Sequence, residues 1–154
     1  MTTRISAATL RFSGAVLIAS LVVAGVTIAS MAQAGGKEPY EITKTEPKLT
    51  QGGRATASLT ITAQDGWHVN PSAPITLSVS PGEGVTTGKV KQGRKDLVQS
   101  TNEVARFDIP LEASQAGQKT LSAEAKFVLC QASACKPVKD TVTFNLLVAP
   151  AEKK

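Results

Sequence analysis

Aromatic side chains make up only 4% of this 154-residue chain, and beyond residue 34 they reduce to Tyr40, Trp67 and three phenylalanines. Nucleic acid is usually held by dense basic faces interleaved with aromatic stacking platforms. Basic residues here are scattered, with Lys89, Lys91, Arg94 and Lys95 as the one cluster, which reads as a solvated loop. No nucleic-acid partner is expected. Histidine occurs once, at His68, and both methionines, Met1 and Met31, precede residue 35. With Cys130, Cys135 and His68 as the only soft ligands there is no second Cys-His pair to complete a zinc set, so neither metal nor cofactor is expected. Gly52-Gly53 and Gly82-Glu83-Gly84 lack the spacing of a phosphate loop, and no Ser or Asp joins His68 in a hydrolase motif. No convincing helical period and no internal repeat is present.

What the chain does have begins with a targeting pattern. Arg4 and Arg11 precede an apolar run from Gly14 to Ala29 that ends at Ala32-Gln33-Ala34, a small-x-small cleavage site. The run approaches membrane-spanning length, but it is rich in Ala, Ser, Gly and Thr and stops at that tripeptide. Residues 1–34 are therefore read as a cleaved signal peptide and the mature chain as one that does not span a membrane. No cysteine follows the cut for lipidation and no twin arginine precedes it, which points to the general secretory route and a periplasmic or secreted product. The remaining 120 residues suit a single domain, expected to be monomeric, and losing Arg4 and Arg11 lowers the net charge from +5 to +3.

The mature chain reads as strands. After a leader at 35–39, Tyr40 to Thr45 forms an edge strand ended by Pro47. Ala55, Ala57, Leu59, Ile61 and Ala63 then alternate with polar residues, the period-two mark of a strand with one buried face. Gln64-Asp65-Gly66 makes a turn into a short strand at Trp67 to Asn70. Ile75, Leu77 and Val79 alternate again, and Val85 to Lys91 is a weaker strand. The polar segment 92–101 reads as an exposed loop. Ala105, Phe107, Ile109 and Leu111 form a strand whose Pro110 suggests an edge or a bulge. The odd positions from Leu121 to Leu129 and the even positions from Val142 to Val148 face inward. Seven or eight such strands predict an all-β, immunoglobulin-like antiparallel sandwich over 40–149, followed by a polar tail at 150–154.

The two cysteines lie in F-V-L-C-Q-A-S-A-C-K-P-V, Phe127 to Val138. With Leu129 inward, the register turns Cys130 outward together with Val128 and Lys126. Gln131 to Ala134 would then connect two strands, with the cysteines as the lips of a hairpin close enough to bond. In an oxidising compartment such a pair forms a disulfide. A six-residue loop gives a bridge worth about 2 kcal/mol, low for a staple. Lys136, beside Cys135, would favour a reactive thiolate. The pair alone leaves a structural bridge and a redox centre both open.

Three stretches together resemble one family: D-G-W-H-V-N at Asp65 to Asn70, the cysteine segment with its following Pro137, and V-T-F-N-L-L-V at Val142 to Val148. They are similar to the amino-terminal periplasmic domain of the DsbD thiol:disulfide interchange family. The resemblance implies an immunoglobulin-like fold and a redox pair at Cys130 and Cys135, acting as part of a protein-disulfide reductase. It would relay electrons from a membrane-embedded reductase to thioredoxin-like periplasmic proteins through mixed disulfides. Pro137 would shape the backbone past the second thiol, and Gly66, Trp67 and His68 would form a structural turn. The family caps its pair with an aromatic; segment 92–101 has none, which leaves Leu97 as the substitute. The alternative is a non-catalytic binding or structural sandwich with a hairpin disulfide.

Overall fold

Alternation along Ala57, Leu59 and Ile61 is what buries one face of a strand, and each of these side chains is inaccessible to solvent. In the computed structural model, which describes residues 38–152, the chain forms β1 (Tyr40–Thr45), β2 (Leu49–Thr50), β3 (Arg54–Ala63), β4 (His68–Val69), β5 (Thr76–Pro81) and β6 (Val85–Thr87). There follow β7 (Lys91–Gly93), a 3-10 turn (Arg94–Asp96), β8 (Leu97–Ser100), β9 (Val104–Ala113), β10 (Gly117–Gln131) and β11 (Ala134–Ala149). The proposed signal peptide lies outside the described residues.

One sheet runs β1-β3-β9-β6, with β8 also on β9; the other runs β2-β11-β10-β5-β7, with β4 also on β10. Every pairing is antiparallel except β2 with β11. The two sheets enclose one core, an immunoglobulin-like β-sandwich. Phe107, Phe127 and Phe144 are its largest members, with Leu59, Ile61, Leu77, Ile109, Leu121, Leu129 and Leu146 among them. Fully burying each such side chain contributes roughly 1.5–3 kcal/mol.

Three expectations are corrected. Segment 92–101 is not a loop: it holds part of β7, the 3-10 turn and β8, with Leu97 opposite Phe107 and Ser100 opposite Ala105 across a bulge. Its order comes from polar groups, which is why no apolar alternation announces it. Gln92 is buried and donates through Nε2 to the Asp108 carbonyl, while Gly93 N–H donates to Asp96 Oδ2 at 2.8 Å. Second, Val85 to Lys91 is not one strand. It divides between sheets, β6 pairing with β9 and β7 with β5. Third, Pro110 sits on a central strand without a bulge there, between β3 on one side and β6 and β8 on the other. Proline is tolerated because β6 pairs only as far as Leu111 and β8 begins at Phe107, leaving a gap beside residue 110.

The flank where β1 faces β11 is joined by side chains. Lys44 Nζ donates to the Thr143 carbonyl at 2.5 Å, and Glu46 Oε1 accepts from Asn145 N–H at 2.8 Å. Tyr40 donates to Asp140 Oδ2 at 3.0 Å, and Lys136 pairs with Glu38 at 2.9 Å. The first two of these contacts occupy the Thr143 carbonyl and the Asn145 N–H, backbone groups that an open strand edge would otherwise offer to another chain.

Candidate functional site

β10 is longer than the strand beside it. β5 accompanies it only as far as Lys126, opposite Thr76, and beyond that point β4 takes over, with Val69 opposite Leu129 and His68 opposite Cys130. The turn before β4 makes this possible. Asp65 and Gly66 both have positive φ, 57° and 77°, and Trp67 N–H bonds to the Gln64 carbonyl at 3.0 Å. That is the Asp-Gly turn geometry in which glycine is strongly favoured at the second position. It carries the chain from β3 in one sheet to β4 in the other, and Trp67 packs half-buried against the core.

On the other side of β10, residues pair with β11 in unbroken register from Gly117 opposite Val148 to Gln131 opposite Ala134. Ala132 and Ser133 alone span the turn, neither with a positive φ. Cys130 and Cys135 are directly opposed, their Cα atoms 4.0 Å apart, and they form a disulfide. The sheet therefore places His68, Cys130 and Cys135 in one row across three strands.

The expected outward exposure of Cys130 is corrected by this arrangement. Cys130 is only 4% exposed, whereas Cys135 is open to solvent. Register gave the face; it could not show that another segment covers it. Asn70, which follows β4, places its side chain on the sulfur, Nδ2 donating to Cys130 Sγ at 3.3 Å. Its other amide atom is also engaged: Oδ1 accepts from Ser72 N–H at 2.8 Å and Ala73 N–H at 3.1 Å. Asn70 N–H bonds to the Val128 carbonyl at 2.9 Å, and Arg94 donates to the Ala73 carbonyl. The Asn70-Pro71 step is a turn signal, but nothing in the sequence tied it to a cysteine 60 positions away.

The remaining expected residues are dispersed around this row. Lys136 lies opposite Leu129, one residue on from Cys135 and so on the other face of β11, and its ammonium is held by Glu38. Pro137 lies opposite Val128, and with Pro74, Lys126 and Val138 they line a shallow, mostly apolar depression of about 320 Å³. Lys126 and Lys139 both pair with Glu124; hydrogen bonds from Lys139 and then Lys126 hold its carboxyl below the usual carboxylate range. Leu97 belongs to the opposite sheet, partly buried against the core.

Tyr40, unremarked in the sequence beyond its strand, packs edge-on against Phe127 with ring centroids 5.2 Å apart. Burial, then the bond to Asp140, pushes its phenol up to about 12. A larger open depression of about 560 Å³ lies on the other sheet around Thr56, Thr86, Thr87 and Pro110, where β6 and β8 leave their gap. It contains no cysteine or histidine, so the hairpin tip is the candidate site.

No family model and no curated protein matches the sequence. Among solved structures, the chain is similar to the major subunit of aggregative adherence fimbriae type I from Escherichia coli, at 16% identity and a TM-score of 0.42, covering 72% of this chain and 95% of that one. It is also similar to a PapD-like domain of human CEP192, at 10% identity and a TM-score of 0.42, over 84% and 99% of the two chains. A Caenorhabditis elegans member of the MSP family gives 13% identity and a TM-score of 0.40, over 70% and 97%.

Proposed function

We propose that this chain is a non-catalytic binding or structural β-sandwich whose Cys130–Cys135 disulfide pins the tip of its longest hairpin. The observation that carries this reading is the register. The bond joins residues already opposed within a continuous ladder, next to the two-residue turn, and the core is complete without either sulfur. In this reading residues 1–34 are removed as a signal peptide and the mature chain acts as a monomer in the periplasm or outside the cell, where the disulfide persists. Equilibration with glutathione tests it. A structural bridge has a reduction potential below about −300 mV. A value in the range of thioredoxin-like proteins would overturn the reading.

One observation favours a second reading, thiol–disulfide exchange of the DsbD amino-terminal kind. Cys135 is exposed while Cys130 is covered, so an incoming thiolate meets one sulfur and not the other. The domain would then pass electrons between a membrane-embedded reductase and thioredoxin-like periplasmic proteins. Its test is capture: a Cys130→Ser variant, with Cys135 free, is expected to trap a thioredoxin-like protein as a mixed disulfide. Failure to form that adduct with purified thioredoxin-like proteins counts against exchange.

A further inference from the structure

We propose that Asn70 is a positioning residue for Cys130, an amide donor fixed so as to stabilise the charge that appears on this sulfur when the disulfide is opened. The proposal deepens the exchange reading and takes its use from it, while its chemistry is measurable with small thiols alone.

The geometry that supports it is the two-sided fixing of one amide. Asn70 Oδ1 is held by two backbone N–H groups, Ser72 and Ala73, in an Asx turn. Rotating the amide by half a turn would set its NH₂ against those donors, so Nδ2 is obliged to face Cys130 Sγ, 3.3 Å away. The backbone on both sides is anchored too, by Asn70 N–H on the Val128 carbonyl and by Arg94 on the Ala73 carbonyl. A disulfide sulfur is a weak acceptor and a thiolate a strong, charge-assisted one. The same N–H therefore stabilises the opened state more than the closed one.

A thiolate from a reductant attacks the exposed Cys135 Sγ, a new S–S bond forms there, and the Cys130–Cys135 bond breaks. Its electron pair leaves on Cys130 Sγ, beneath the Asn70 donor. A second reductant thiol then resolves the mixed disulfide and releases Cys135 as a thiol. The charged groups packed around the site are otherwise engaged: Arg94 serves carbonyls of the Asn70 turn, Lys136 is paired with Glu38, and Lys126 with Glu124. His68, opposite Cys130 on β4, is the remaining titratable neighbour and is unchanged in every variant below.

Two variants separate positioning from mere turn structure. Asn70→Ser keeps a short acceptor able to hold the turn and removes the Nδ2 amide that reaches Cys130 Sγ, without adding charge. Asn70→Asp keeps both turn bonds and replaces the donor by a carboxylate. The first readout is the equilibrium constant for opening the disulfide with glutathione at mildly alkaline pH. The second is thiolate absorbance at the same pH in a Cys135→Ser background, where Cys130 is the only thiol. A charge-assisted bond exceeds a neutral one by enough to change an equilibrium about tenfold. Asn70→Ser is expected to lower the opening constant by about that factor and to reduce thiolate absorbance, with Asn70→Asp lower still. Wild-type values in both variants, each folded, would overturn the proposal. If both readouts fall as expected but no thioredoxin-like protein forms an adduct with Cys135, the exchange reading fails and the role of Asn70 stands.

Discussion

The two ends of the β10–β11 hairpin are built by different rules. At the root, Leu121, Ala123 and Ala125 alternate with Ser122, Glu124 and Lys126 along a regular ladder, Leu121 opposite Phe144, Ala123 opposite Val142 and Ala125 opposite Asp140, and β5 supports the outer side. At the tip the alternation fails: Leu129 and its neighbour Cys130 are both buried. There β5 has ended, a two-residue strand replaces it, and an amide from the following turn covers the sulfur. The root is held by its ladder and packing alone, whereas the tip adds to its buried Phe127 and Leu129 a disulfide and an amide on the sulfur. The disulfide thus secures the end of the hairpin, while the core it adjoins is complete without either sulfur.

The sharpest way to break this contrast is to remove core volume. Phe144→Ala at the root is expected to cost about 3–5 kcal/mol in denaturant unfolding, the usual range for deleting a fully buried phenylalanine. Removing the tip's covalent bond should matter less. The Cys130→Ser, Cys135→Ser double variant is expected to lose about 2 kcal/mol, the chain-entropy value for so short a loop. A loss equal to that of Phe144→Ala would erase the distinction.

Smaller again is the turn that delivers the tip's supports. A methyl group placed on Gly66 would meet no heavy atom within 4 Å, so Gly66→Ala introduces no clash, only the cost of φ at 77°. About 1 kcal/mol is expected from that backbone preference, read in the same unfolding experiment.

The smallest effect concerns Tyr40, which touches both regions by packing on Phe127 and bonding to Asp140. Its folded pKa, about 12, stands above the ordinary 10, so the contribution is fully present below pH 10 and is lost as pH rises toward 12. Tyr40 is the only tyrosine, so phenolate absorbance reports it alone. Asp140→Asn should lower its midpoint, with about 0.5 kcal/mol lost at neutral pH, the low end for one part-buried hydrogen bond.

The same contrast explains what could be read in advance. The long strands were legible because one buried face imposes period two, and β1, β3, β5, β9, β11 and β10 as far as Leu129 follow it. The seven or eight expected strands became eleven because β2 and β8 are too short or too polar to show a period and the Val85 to Lys91 stretch divides into β6 and the start of β7. Cys130 and Cys135 were legible as opposed lips of a hairpin from spacing alone. The cover over Cys130 was not, since it depends on a turn joining two sheets and on an asparagine whose partner lies 60 residues on. Local pattern encodes faces, and long-range contact decides which outward face stays open.

The separability of tip and root is tested most directly by amide hydrogen exchange on the oxidised and the reduced protein. Reduction is expected to speed exchange in Phe127 to Val138 and in His68–Val69, while Leu121 to Ala125 and Phe144 to Val148 keep their protection. Equal acceleration along the whole hairpin would contradict the account, because the disulfide would then be holding the sandwich and not its tip.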